Sequence, residues 1–143
     1  MQDILRLIHK DNPYEGFPAH EFQPDLNTHH GYPRLYYQFL KNVVHHEHQD
    51  VIIPFPITSN NGALFFKQMQ INADVIYIDA SHDYEDVAVD MKKYWKVLNP
   101  GGVLFGDDYS IQFHGVVRAV SEFSETWDRP LDLSQDGKWF FKK

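Results

Sequence analysis

Apolar positions recur along this chain at two different spacings, and the changes of spacing mark where elements begin and end. Leu35, Tyr36, Phe39, Leu40 and Val43 follow one another at three- and four-residue intervals. That predicts a helix from Pro33, a residue suited to the first helical turn, to about His48. Residues 51–55 form a short apolar run ended by Pro54 and Pro56, which predicts a strand. Ser59 or Asn60 is placed to cap a helix carrying Ala63, Leu64, Phe66 and Met69. Residues 73–79 show no strict alternation, so they predict a strand buried on both faces. A helix over 84–98 follows, with Val87, Met91, Tyr94, Trp95 and Leu98 on its apolar side. Asn99-Pro100-Gly101-Gly102 is a stop-and-turn signal. A strand over 103–105 and a helix over 115–127 come next. Strands around Leu131 and over 138–141 then flank an Asp136-Gly137 turn as a hairpin.

Strand and helix alternate from residue 51 onward. This is the order of right-handed βαβ units and predicts an α/β fold with a mainly parallel sheet, to which the hairpin adds antiparallel strands at one edge. The N-terminal part is less regular. Ile4, Leu5, Leu7 and Ile8 predict one short amphipathic helix, stopped by Asp11-Asn12-Pro13. Residues 14–32 carry prolines, glycines, aromatics and histidines without periodicity and read as an irregular arm. The expected organisation is a single domain over 1–143, with an arm over 1–32 and an α/β core over 33–143. Tyr36, Tyr37, Phe39, Phe65, Phe66, Tyr94 and Trp95 stand at core spacing, so packing accounts for them better than a stacking site.

Composition narrows the partners. With 143 residues, 43% of them hydrophobic and 15% aromatic, the chain has the material for one core. It carries 13 basic and 20 acidic residues, a formal charge of −7, and no run of Lys or Arg able to track a phosphate backbone. Nucleic acid is therefore not an expected partner. The absence of cysteine removes disulfides, thiolate zinc sites and cysteine nucleophiles, and suits a reducing, cytoplasmic setting. No apolar run approaches the roughly 18 residues of a membrane span, and the first residues do not have the pattern of a signal peptide, so no membrane association is expected.

The candidate chemistry lies where strands end, since ligands of open α/β sheets bind outside the carboxyl ends of the strands. One strand ends in Asp79, followed by Ala80-Ser81-His82, and another in Asp107-Asp108. If these strands are neighbours, three carboxylates converge with His82 and His114 close by, and a cation or a proton must relieve their repulsion. All-oxygen ligands suit Mg²⁺, Mn²⁺ or Ca²⁺ better than zinc. The competing reading is structural: Ser81 or Asp83 caps the next helix, and Asp107 forms a turn. His45-His46-Glu47-His48 would set His45 and His48 on one helix face. A helix C-terminus explains that run better than a metal site, because no third ligand follows at fixed spacing. His29-His30 is equally unspecific.

Three segments in order carry a resemblance: Tyr77-Ile78-Asp79-Ala80-Ser81-His82-Asp83-Tyr84-Glu85, then Leu98-Asn99-Pro100-Gly101-Gly102-Val103-Leu104, then Gly106-Asp107-Asp108-Tyr109. They resemble the signature of class I S-adenosylmethionine-dependent methyltransferases of the macrocin-type sugar O-methyltransferase kind, roughly D-G-D-H-S-Y-E, a helix, L-x-P-G-G, a strand and G-D-D-Y. Gly31-Tyr32-Pro33, Tyr36, Phe39-Leu40, Asn42-Val43 and residues 54–59 upstream, and residues 115–123 downstream, are also similar, so the resemblance spans residues 31–125 or so. It implies a Rossmann-like sheet and methyl transfer from S-adenosylmethionine to a hydroxyl of a sugar or other small-molecule acceptor. It also implies an Mg²⁺ ion held by Asp79, Asp107 and Asp108, His82 as the catalytic base, and a cofactor bound near Thr58, Ser59 and Asp79.

Two departures qualify the resemblance. Ala80-Ser81 stands where the signature has Gly-Asp, and Ser81 cannot serve as the base an aspartate would be. No G-x-G-x-G occurs, and before residue 101 the only glycines are Gly16, Gly31 and Gly62. The family's Gly-rich cofactor loop needs glycine so that backbone can approach the ligand. The chain thus reads as the C-terminal part of such a domain, with poor cofactor affinity on its own. Without the strands that flank it in the family, residues 51–55 would present a sheet edge, and residues 11–32 would contribute to a homo-oligomer, expected to be a dimer. The alternative is a non-enzymatic oligomerising or binding module built on the same fold. A receiver-like phosphoacceptor domain has its acid pair before the single acid, the reverse of the order here.

Overall fold

In the computed structural model of the chain, residues 28–29 and 32–143 are described, and the chain divides into two compact units, Met1–Pro56 and Ile57–Lys143. The predicted helix around Ile4–Ile8 and nearly all of the arm over 1–32 lie outside the described residues. In the first unit, β1 (Thr28–His29) pairs antiparallel with β2 (Tyr32–Pro33). Helix α1 (Arg34–His45) starts directly after Pro33, whose φ of −57° already matches helical geometry. It ends a turn earlier than expected. His46 N–H bonds Asn42 O at 3.0 Å, His48 N–H bonds Val43 O at 2.9 Å, and Glu47 takes φ +58°. This left-handed closure satisfies the last carbonyls. It also leaves His48 outside the helix, so His45 and His48 do not share a helix face.

Residues 51–55 do not form the predicted strand. The N–H groups of Val51 and Ile52 both turn back onto His48 O, at 3.1 and 2.9 Å. Pro54 and Pro56 have no N–H to give to a ladder, and Ile53 is 86% exposed. A strand is a property of a pair, and among the described residues this segment has no partner strand.

In the second unit Thr58, not Ser59 or Asn60, caps α2 (Ser59–Gln68), its Oγ1 accepting from Asn61 N–H at 3.5 Å. β3 (Ala73–Ile78), α3 (Tyr84–Val97), β4 (Leu98–Gly106) and α4 (His114–Trp127) follow, then β5 (Asp132–Leu133) and β6 (Trp139–Lys142). The sheet runs β3-β4-β6-β5. β3 and β4 are parallel across α3, and β6 and β5 add the predicted antiparallel hairpin. The α/β reading of the sequence is therefore the architecture observed. The Asn99–Gly102 turn signal lies inside β4: Ala73 pairs with Leu98 but Val75 with Val103, so extra residues bulge out of the ladder. Gly101, at φ +80°, donates its N–H to Lys143 O, and Gly102 O accepts from Lys143 N–H. The bulge is thereby paired on its other side. The Lys143 ammonium also bonds Trp95 O and Leu98 O, both at 2.7 Å, supplying a cation at the C-terminus of α3.

The core lies between one face of the sheet and helices α3 and α4. Met91, Leu104, Val120 and Phe141 are fully buried, with Trp95, Phe123 and Trp139 beside them. Side chains of this size stabilise by about 1.5–3 kcal/mol each on full burial, which makes this layer the main support of the unit. Of the aromatics expected in the core, only Trp95 is buried. β3 was expected to be covered on both faces, but Ile76 and Ile78 pack on the core while Val75 and Tyr77 are 61% and 40% exposed. No described helix is long and apolar enough to cross a membrane.

Candidate functional site

Parallel pairing of β3 with β4 puts Ile78 opposite Gly106, so the residues after each strand, Asp79 and Asp107, emerge side by side. Gly106 and Gly115 allow the close approach. A Cβ on Gly106 would lie 2.3 Å from the Trp139 ring, and one on Gly115 would lie 2.1 Å from His82 O. Only glycine fits at either place. Asp108 adopts φ +66°, a conformation Asp tolerates better than most residues. Its N–H meets Asp107 Oδ1 at 2.9 Å, and its carboxylate is 2.8 Å from His82 Nε2. The His82 ring stacks on Phe113 with centroids 4.1 Å apart. Ser81 Oγ accepts from Asp83 N–H at 3.1 Å, which shapes the loop before α3. The expected acidic strand ends and His82 therefore do meet.

These groups rim a small cleft whose floor is Ile78, Val87, Val116 and Trp139. Three residues that sequence reasoning did not single out, Tyr77, Lys138 and Trp139, bond the acids of its rim. The Tyr77 hydroxyl lies 3.1 Å from Asp79 Oδ2 and 3.2 Å from Asp107 Oδ2. The Lys138 ammonium bonds Asp107 Oδ2 at 2.9 Å and Asp136 Oδ2 at 3.1 Å. Trp139 Nε1–H donates to Asp107 O at 3.1 Å. Tyr77 was detectable, since it stands two residues before Asp79 on one strand face. Lys138 has no local signal, because the hairpin brings it in from 31 positions away.

The carboxylates differ in acidity. Burial raises the Asp79 pKa, with the Asp108 and Asp107 charges adding to the rise and the Tyr77 contact opposing it. Burial acts in the same sense on Asp107. There the Lys138 hydrogen bond, the Asp108 N–H and the Lys138 charge outweigh it and hold the carboxyl below its usual range. Burial, then the two neighbouring carboxylates, pushes the Tyr77 hydroxyl well above its ordinary value, so it stays protonated.

Among the described residues no group of three His, Asp or Glu side chains is arranged to hold a metal ion. Asp107 Oδ2 is engaged by Lys138 and Tyr77, and Asp108 Oδ2 by His82. The three acids converge as expected, but their arrangement does not fit a shared divalent ion. Thr58 and Ser59 do not line the cleft: Thr58 caps α2, and Ser59 O accepts from the Tyr94 hydroxyl at 2.9 Å. His114 begins α4 and is exposed.

The sequence matches a family model described as a methyltransferase domain over residues 7–109. The apo structure of CalS11, a TDP-rhamnose 3'-O-methyltransferase of calicheamicin biosynthesis, superposes with a TM-score of 0.58 at 17% identity, over 75% of this chain and 51% of that one. An O-methyltransferase from Bacillus cereus, solved in complex with SAH, superposes with a TM-score of 0.54 at 15% identity, over 72% of this chain and 56% of that one. An uncharacterised protein, R132, of Acanthamoeba polyphaga mimivirus is 29% identical over 70 residues, 49% of this chain and 27% of the viral protein. The chain thus spans about half the length of these solved structures and about a quarter of the viral relative.

Proposed function

Because the chain belongs to the methyltransferase-domain family, we propose that it forms the acceptor side of an S-adenosylmethionine-dependent O-methyltransferase. The acceptor is a hydroxyl of a sugar or another small molecule. The observation that carries this is the His82–Asp108 pair at the carboxyl edge of β3 and β4, with Asp79 beside it. The O-methyltransferases of similar fold support the choice of oxygen as acceptor.

S-adenosylmethionine, when bound, supplies an electrophilic methyl group on a sulfonium. The chain's own residues fit such a ligand in charge: Asp79 is a half-buried acceptor on the rim, and Ile78 and Val87 offer apolar surface next to it. His82 accepts the proton of the acceptor hydroxyl at its ring nitrogen. Asp108 orients the imidazole and stabilises the charge that develops on it, while Phe113 holds the ring plane. Methyl transfer is an in-line displacement, so fixing the oxygen against the cleft floor contributes much of the rate. A cytoplasmic setting goes with this reading, resting on the absence of cysteine.

A second reading, a non-enzymatic association module on the same fold, draws support from the exposed apolar side chains of Val75 on β3 and of Leu64 and Met69 on α2. Calorimetric titration with S-adenosylmethionine and with S-adenosylhomocysteine separates the two. Enzymatic function predicts saturable heat that His82→Ala leaves in place and Asp79→Ala weakens. No heat at millimolar cofactor selects the module.

A further inference from the structure

Asp107 is tied by both carboxylate oxygens. Oδ1 accepts from Asp108 N–H at 2.9 Å, and Oδ2 lies 2.9 Å from the Lys138 ammonium and 3.2 Å from the Tyr77 hydroxyl. The ammonium is not a chance visitor on a long side chain, because the backbone that carries it is fastened on both sides. Ser134 N–H bonds Lys138 O, and Lys138 N–H bonds Ser134 Oγ, each at 2.9 Å. Gly137, at φ +85°, turns the hairpin so that its carbonyl accepts from Tyr109 N–H at 2.9 Å. Trp139, next along β6, is 1% exposed and bonds the carbonyl of Asp107 itself. Hairpin and acidic loop are thus joined before and after Lys138, which sets its ammonium between Asp107 Oδ2 at 2.9 Å and Asp136 Oδ2 at 3.1 Å.

We propose that Lys138 is the resident cation of the cleft, holding the coordination position on Asp107 and keeping a divalent ion from it. A divalent ion binds carboxylate oxygen at about 2.0–2.6 Å. An ammonium at hydrogen-bond distance on Oδ2 competes with it, because the two positive charges would lie within a few ångströms of each other. The acid that would anchor a metal is therefore already paired with a cation of the chain itself. Lys138 relieves the charge of Asp107, and the Tyr77 hydroxyl adds a hydrogen-bond donor beside it. This concerns binding at Asp107 and stands whether or not the methyl-transfer reading holds.

The test uses Mn²⁺ as probe, with the free-ion paramagnetic resonance signal as readout on the full chain. Wild type is expected to leave that signal unchanged up to about 1 mM Mn²⁺. Lys138→Met keeps the aliphatic stem and removes the charge, and it should bind at least about tenfold more tightly. Lys138→Arg should gain nothing, and Lys138→Met/Asp107→Asn should lose the gain. If Lys138→Met fails to fold, Lys138→Gln takes its place with the same expectation. Saturable Mn²⁺ binding by wild type that Asp107→Asn abolishes overturns the proposal, as does a folded Lys138→Met or Lys138→Gln that binds no better than wild type.

Discussion

Tyr77 and Asp79 stand two positions apart on one strand, and their chemistry is set by what β4 and β6 bring against them. A phenol has one proton, so the Tyr77 hydroxyl, within about 3 Å of both Asp79 and Asp107, donates to one at a time. The asymmetry in acidity suits this. Asp107 has Lys138 and stays ionised, whereas Asp79, raised first by burial, is the carboxyl that takes a proton most readily. For Asp79 the folded-state pKa lies above the unfolded one. Its contribution to stability is present below the ordinary carboxylate range, near pH 3.9 or roughly so, and is lost as pH rises through the raised value. Asp107 is the reverse: its contribution is present above the ordinary range and lost as pH falls through the lowered value. Asp79→Asn should therefore remove the decline of melting temperature on the upper side of the carboxylate range and leave the acid-side loss intact. Melting curves of wild type and variant from about pH 3 to about pH 7 check this; identical profiles would show that Asp79 is not coupled to folding. Tyr77→Phe removes the shared donor and should cost about 1 kcal/mol, read by denaturant unfolding.

At the scale of elements, two glycines decide how closely neighbours meet. Gly115 lets the start of α4 press on the carbonyl of His82, and Gly106 lets the Trp139 ring lie over the end of β4. Neither has positive φ, so each is glycine for lack of space and not for backbone freedom. Gly115→Ala should destabilise by about 1–3 kcal/mol and push His82 away from Asp108. Chemical unfolding measures the first effect and the His82 ring resonances the second; an unshifted His82 would mean that the loop accommodates the methyl group. The same scale shows how turn chemistry was legible and its placement was not. Asn99-Pro100-Gly101-Gly102 does stop α3, but β4 runs through it as a bulge because Lys143 pairs with both glycines from the far side.

At the largest scale, the apolar surface of the second unit is unevenly covered. α3 and α4 bury one face of the sheet, while Val75 and Tyr77 of β3 and Leu64 and Met69 of α2 are exposed. β3 has only β4 as neighbour among the described strands. A sheet edge next to exposed apolar side chains favours association, and we propose a homodimer joined there. Sedimentation velocity should show dimer in wild type and a shift to monomer in Val75→Lys, with about tenfold weaker association; a wild type that stays monomeric would remove the proposal.

The sequence by itself determined the order of elements from α2 to the hairpin, the acidic ends of β3 and β4 and the family to which the chain belongs, because periodicity, turn residues and local motifs are all written over short spans. It did not determine that residues 51–55 stay out of a sheet, since a strand depends on a partner that no local pattern specifies. Nor did it show which cation pairs with Asp107. Asp79, Asp107 and Asp108 read alone look like ligands awaiting an ion. The tertiary structure decided that Asp107 meets a cation of the chain itself, by folding β6 beside β4 and carrying Lys138 to it from the far end of the chain.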